Sequence, residues 1–491
     1  MSGGGAMSEM LVSAGYLAPQ LIVALTGAIV LIADLIRINH GPHEHPGRPW
    51  IAGVGIAGLI AAAAAAVFAP SGASLFGGSI AVDTLTRYFD LVFIAIGIAV
   101  LAVSIDSVPR FTPWVAEFYA LVIWCTAGNM FVALATDLFG LMVFLQLTSL
   151  PLIALLGVAK RDPRTREAAL KYLLAVLIST ALLLWGVSLV YGAFGTDDMA
   201  AIGEALAAGP AMSALGMAGL AFVLAGFAFK IAAVPFQFWV PDVYEGAPPV
   251  VVTFLSVGSK LAGFALVMRF FNVSLGNVSA LSVVLAVLAA ASMTLGNLGA
   301  LKQKNVRRLL AYSGIAQAGY LLVGLAASSE TGSSAVLFYL AAYAVANLAA
   351  FTVVVAYVDA TGRDRVSGLT GLSKQNPLAA FSLAVALMSL AGLPLTVGFM
   401  AKFYVFLSAA EAGLYWLAII AVVNAVIAFY YYLRIVWALY VPDAEDVDRV
   451  AISRRHAAVM VVGTAGIVIL GVLPAPLMNA ASAAARVLSG S

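Results

Sequence analysis

The chain reads as long apolar runs separated by short polar stretches, and about fourteen of these runs are long enough to cross a bilayer. Their centres fall near Leu25, Ala61, Ile94, Ile123, Phe144, Leu182, Phe227, Lys260, Leu288, Tyr320, Val345, Leu393, Val422 and Ile467. A hydrocarbon core roughly 30 Å thick takes about 20 residues of helix. The pattern therefore predicts an all-α, polytopic transmembrane helical bundle of about 14 helices, with the lipid bilayer as its solvent.

Composition sharpens this reading. The chain is 63% hydrophobic and only 10% charged, with a mean hydropathy of +1.04, and its many Ala and Gly residues suit helices packed closely in lipid. The sixteen residues before the first run carry no Lys or Arg, and Asp34 and Arg37 close it, so the first run reads as a retained helix and not as a cleaved signal. Cys125 is the single cysteine, which excludes intrachain disulfides and cysteine-based metal sites. A net charge of +2 gives no reason to expect nucleic acid.

The placement of charge carries more. Lys and Arg collect on alternate loops: Arg37 and Arg48, Arg110, then Lys160, Arg161, Arg164 and Arg166, then Lys302, Lys304, Arg307 and Arg308, then Arg363, Arg365 and Lys374, and finally Arg449, Arg454 and Arg455. Every odd loop but the seventh is basic. The even loops hold Asp197, Asp198, Glu204, Glu330 and Glu411, with Arg87 and Arg269 as edge cases. By the positive-inside rule the odd loops are cytoplasmic and both termini lie outside, on the periplasmic side of a bacterial inner membrane.

Three lysines, Lys230, Lys260 and Lys402, lie deep in apolar runs, where an unpartnered ammonium costs roughly 2.5–3.5 kcal/mol. The seventh run reads Phe222 to Trp239, with Lys230 near its centre and Pro235 after it; the twelfth reads Leu387 to Phe406, with Pro394 before Lys402. Proline removes a backbone donor and clashes with the preceding turn, so both helices are expected to break beside a lysine. Two broken helices five spans apart point to inverted repeats. The division that follows is residues 1–110 as three N-terminal helices, 111–275 as a first repeat (helices 4–8), 276–441 as a second, inverted repeat (helices 9–13), and 442–491 as a loop, helix 14 and a tail.

Plainer readings stand beside these. Lys171, at the start of the sixth span, can snorkel to the headgroups, and the three deeper lysines can be purely structural. His40, His43 and His45 with Glu44 have metal-ligand chemistry, but they lie in a hydrophilic stretch that reads as a solvated loop. The run Phe429-Tyr430-Tyr431-Tyr432 reads as helix packing or an interface belt.

Several segments are similar to a known family. Val240-Pro-Asp-Val-Tyr-Glu-Gly-Ala-Pro248 preceded by Gly226-Phe-Ala-Phe-Lys230, Lys304-Asn-Val-Arg-Arg-Leu-Leu-Ala-Tyr-Ser313, Leu390-Ala-Gly-Leu-Pro394 with Gly398-Phe-Met-Ala-Lys402, and Tyr430-Tyr-Tyr-Leu-Arg434 resemble signatures of the antiporter-like subunits of respiratory complex I, the proton-pumping NADH:quinone oxidoreductase. The resemblance covers about residues 80–440 and is strongest to the member nearest the quinone-reducing end of the membrane arm. The long lateral helix of the most distal member is not expected.

The resemblance implies that Lys230 is the central proton-loading group, with Lys171 as its neighbour, Lys260 linking across the middle and Lys402 serving the second half-channel. Burial disfavours the charged form of an amine, which lets a wet row of such groups both take and release protons. No cofactor or metal is implied for this chain. NADH, FMN, iron–sulfur clusters and quinone belong to partner subunits, and the other membrane-arm subunits are the implied neighbours.

Two positions depart from the family. Where its fifth helix carries a buried glutamate, this chain has Gln146 in Leu145-Gln-Leu-Thr-Ser-Leu-Pro151, and a glutamine can neither hold negative charge nor release a proton. Asp137 is nine residues earlier, about 13 Å along a helix, and Glu167 is one turn before Lys171. Gln237 replaces the histidine that follows the seventh-helix lysine. Three functions remain open at this point: a proton-translocating complex I subunit, a monovalent cation/proton antiporter subunit, and a structural complex I subunit whose channel Gln146 has impaired.

Overall fold

The computed structural model describes residues 12–38, 48–208, 213–275, 279–441 and 449–489. Among them thirteen helices are long and apolar enough to span a membrane. A fourteenth crossing is split in two, Pro377–Ala391 and Val397–Glu411. The fourteen expected spans are thus all present, in order. The His40, His43, Glu44 and His45 cluster lies outside the described residues.

The eighth span (Pro249–Leu275), the tenth (Val306–Ala326) and the eleventh (Glu330–Thr361) form the buried centre, while the first, second, sixth, thirteenth and fourteenth present broad apolar faces outward. Close helix contact depends on small residues, as expected where lipid gives helices no hydrophobic reason to associate. A Cβ at Gly319 would come within 2.6 Å of the Met293 backbone nitrogen, and one at Gly128 within 2.6 Å of that of Thr148.

The breaks fall where the prolines are, but their registers differ from the sequence expectation. The seventh span begins at Ala214, eight residues before Phe222, and its helix stops at Ile231. Lys230 therefore occupies the last turn before the break, not the centre of a helix. Ala232 adopts a left-handed φ of 60°, Pro235 lies in the non-helical stretch, and the chain turns helical again over Trp239–Gly246. The twelfth span breaks between Ala391 and Val397, with Gly392 at φ 93° and Leu395 at φ 70°.

Several features had no counterpart in the sequence reading, among them a short helix, Met199–Ala207, between the sixth and seventh spans. The eighth span contains a π-helical turn, Leu255–Ser259, immediately before Lys260. Two short antiparallel strands, Ala73–Leu75 and Ile80–Val82, join the second and third spans, so the fold is not wholly helical. The chain's tail contains a further helix, Ala475–Arg486. The edge-case cations prove to be tethered: Arg269 is buried and paired with Asp83 at 2.9 Å, and Arg87 donates to the Ala69 carbonyl at 2.6 Å.

Candidate proton path

Lys230 comes to rest beside the fifth span, where its Nζ donates to Ser149 Oγ at 2.9 Å. It lines a cavity of about 30 Å³ together with Gln146, Tyr172, Thr180, Trp239 and Ser259. That volume exceeds the roughly 10–15 Å³ a water needs, and the walls carry polar groups to hold one. Gln146 thus lines the same cavity as Lys230, and its Nε2 donates to Thr180 Oγ1 at 2.9 Å. The eighth span approaches because residue 263 is glycine: a Cβ there would sit 2.9 Å from Ile231 and 3.3 Å from the Lys230 stem.

Lys260 is buried at the centre of the molecule. Its amine donates to the Gly314 carbonyl of the tenth span and lies 5.6 Å from the centre of the Tyr343 ring, a cation–π geometry that partly compensates lost hydration. Lys402 repeats the design in the broken twelfth span. It donates to Ala391 O at 2.8 Å, a carbonyl that the end of the helix leaves without an intrahelical donor, and sits 4.7 Å from the centre of the Tyr320 ring.

Between these two lysines runs a chain of side chains that the sequence reading did not single out. Ser313 bonds Tyr432, Gln317 Nε2 donates to Tyr432 at 3.3 Å and to Leu390 O at 3.1 Å, and Tyr339 donates to Gln317. Its ends adjoin Gly314 beside Lys260 and Ala391 beside Lys402. The signal was present: Ser313 and Gln317, and Tyr339 and Tyr343, recur four apart on apolar helices and so share a face. Tyr431 and Tyr432 are fully buried and belong to this interior, so of the two readings helix packing holds for them and the interface belt does not; Tyr430 is exposed.

Lys171 is placed as its snorkelling reading expects, one turn after Glu167 and paired with it, and not against Lys230. Its amine points toward the helix start and pairs with Asp242 Oδ2 at 2.7 Å and Glu167 at 2.8 Å, with 41% of the side chain exposed. It does not line the Lys230 cavity. Asp242 also accepts from Arg308 at 2.7 Å, and Arg308 reaches Glu245 at 2.9 Å. On the next loop the Asp364 carboxyl is opposed by burial, but Arg307 and Asn305 outweigh it and hold it below the usual carboxylate range. Gln237 Oε1 is buried without a hydrogen-bond partner. Among the described residues no group of three or more His, Cys, Asp or Glu gathers as a metal site.

Residues 135–428 match the family described as "NADH:quinone oxidoreductase/Mrp antiporter, TM". The chain belongs to that family. It is 37% identical over 478 residues to the NADH-quinone oxidoreductase subunit N of Dehalococcoides mccartyi, covering 94% of this chain and 97% of the relative. Among solved structures, a chain of respiratory complex I from Thermus thermophilus with bound aureothin is 31% identical with a TM-score of 0.79, over 95% of this chain and 99% of that one. A chain of the Mrp complex from Dietzia superposes with a TM-score of 0.81 at 23% identity, over 98% of each; at that identity the likeness is one of fold.

Proposed function

We propose that this chain is the membrane-arm subunit N of a proton-translocating NADH:quinone oxidoreductase, relaying protons along Lys230, Lys260 and Lys402. The observation that carries the proposal is the row itself: three membrane-embedded amines, Lys260 and Lys402 buried and Lys230 part-buried, two of them at helix breaks, with a small cavity at Lys230 and a hydrogen-bonded group of Ser313, Tyr432, Gln317 and Tyr339 between Lys260 and Lys402. Each amine rests on a hydroxyl or a backbone carbonyl and not on a carboxylate, so no fixed ion pair holds its proton. Lys171 stands at the cytoplasmic mouth as the group that takes part from outside the cavity, and Gln146 as a neutral wall residue of the Lys230 cavity.

The redox work belongs to partner subunits that carry NADH, FMN, iron–sulfur clusters and quinone; this chain serves the oxidoreductase as its translocating part, beside the other membrane-arm subunits. Residues 111–275 and 276–441 act as two inverted half-channels, with 1–110 and 442–491 as flanking helices. The setting is the bacterial inner membrane with both termini outside, supported by the basic odd loops.

A cation/proton antiporter subunit shares this fold. Relatives above 30% identity over nearly the whole chain are oxidoreductase subunits, which favours the first reading. Reconstituting the purified complex in liposomes separates them. NADH-driven acidification that persists when sodium and potassium are replaced by a large organic cation is expected; acidification that requires an alkali cation would support the antiporter.

A further inference from the structure

Asp242 lies on the short helix Trp239–Gly246 that follows the seventh-span break, and one carboxylate oxygen takes Lys171 while the other takes Arg308. Lys171 comes from the sixth span (Pro163–Phe194), in the first repeat, and Arg308 from the tenth, in the second. Glu167 and Glu245 each touch one cation; Asp242 touches both. The same two elements also close the cavity. Tyr172, next to Lys171, packs edge-on against Trp239, the first residue of the short helix, with ring centres 5.2 Å apart, and both line the wall around Lys230.

We propose that Asp242 is the switch acid of the first half-channel, holding Lys171 outward while Lys230 is loaded and releasing it to turn into the cavity when Lys230 must discharge. This rests on the proton-translocating function proposed above. Ala175, one turn beyond Lys171, already lines the cavity, a rise of about 6 Å that a flexible four-carbon stem spans. A second ammonium beside Lys230 disfavours its charged form. The Lys230 proton then passes to a cavity water and on toward Lys260, and Lys171 keeps its own. Arg308 supplies the trigger from the other half: if a shift of the tenth span brings its guanidinium onto both oxygens of Asp242, the two-pronged grip displaces the single amine. Gln146 fits this scheme because a neutral wall does not trap Lys171 once it has turned inward.

The test measures protons moved per NADH by the intact complex in tight liposomes for the native protein, Lys230→Ala, Asp242→Asn, Asp242→Glu, Lys171→Gln and the Asp242→Asn/Lys171→Gln double variant. Asp242→Asn and Lys171→Gln are expected to lose pumping to the same extent, the double variant to lose no more than either, and Asp242→Glu to recover at least half of the loss. Groups acting as one device are non-additive in this way, whereas independent structural roles add. Native pumping by Asp242→Asn, or summed losses in the double variant, overturns the proposal. Should Asp242→Asn fail to assemble, Lys171→Arg carries the test, because its fixed cation grips Asp242 more firmly and must pump less than native; native pumping overturns the proposal. Lys230→Ala separates the claims: if it pumps normally the translocation reading fails, and if it alone loses pumping only the role of Asp242 falls.

Discussion

Lys230, Lys260 and Lys402 share a local construction: an amine bonded to one uncharged oxygen, with a glycine where a larger residue would crowd it. A Cβ at Gly314 would stand 3.1 Å from Lys260 Nζ, and one at Gly392 3.0 Å from Lys402 Cδ. Such weak support lets each group exchange a proton, where a salt bridge would hold it. Gln146 is the position at which this logic can be reversed. Gln146→Glu places an acid on the wall of the Lys230 cavity, and an opposite charge favours the charged amine. Protons moved per NADH in liposomes are therefore expected to fall, because the acid would hold the Lys230 proton and trap an inward-turned Lys171; native or higher pumping would contradict this construction. The three deep lysines were legible because a charge inside an apolar run is conspicuous. The pairing of Lys171 with Asp242 was not, because Asp242 lies 71 positions away and only the folded chain brings them together.

At the level of elements, the prolines located both breaks, while the helix ends around them were set by features that hydropathy does not encode. Ile231 ends its helix because Ala232 turns left-handed, and the π turn before Lys260 leaves no mark in an apolar run. The two short strands and the last helix were missed for a related reason: each is shorter than a crossing and lies in or beside polar sequence. In the twelfth span Gly392 holds φ at 93° against the Lys402 stem, and the fourteenth span braces the break, since a Cβ on Gly471 would meet the Thr396 backbone at 2.4 Å. A left-handed conformation costs a non-glycine residue about 1–2 kcal/mol. Gly392→Ala is expected to lower the thermal stability of the membrane arm by about that amount and to reduce pumping while uncoupled NADH oxidation persists. Native values for both would show that the left-handed turn plays no part.

For the whole molecule, the alternation of charge made the number and order of the crossings legible, because one missed or extra helix would have scrambled it, and the same alternation carries the expected orientation with both termini outside. Packing was not legible in that way; that the eighth, tenth and eleventh spans form the centre depends on which apolar faces meet one another and which meet lipid. Orientation can be checked directly. A cysteine at the exposed Arg164 is expected to react with a membrane-impermeant reagent only from the cytoplasmic side, and one at the exposed Glu411 only from outside; labelling of both from one face contradicts the fourteen-span arrangement. The claim at stake is that protons cross by loading and unloading Lys230, a part-buried amine within the membrane. Its most direct measurement is protons moved per NADH by the reconstituted complex carrying Lys230→Ala or Lys230→Arg. Alanine removes the group and arginine keeps the charge but does not readily release a proton, so both are expected to pump less than the native complex with assembly largely intact; native pumping by both would contradict the claim.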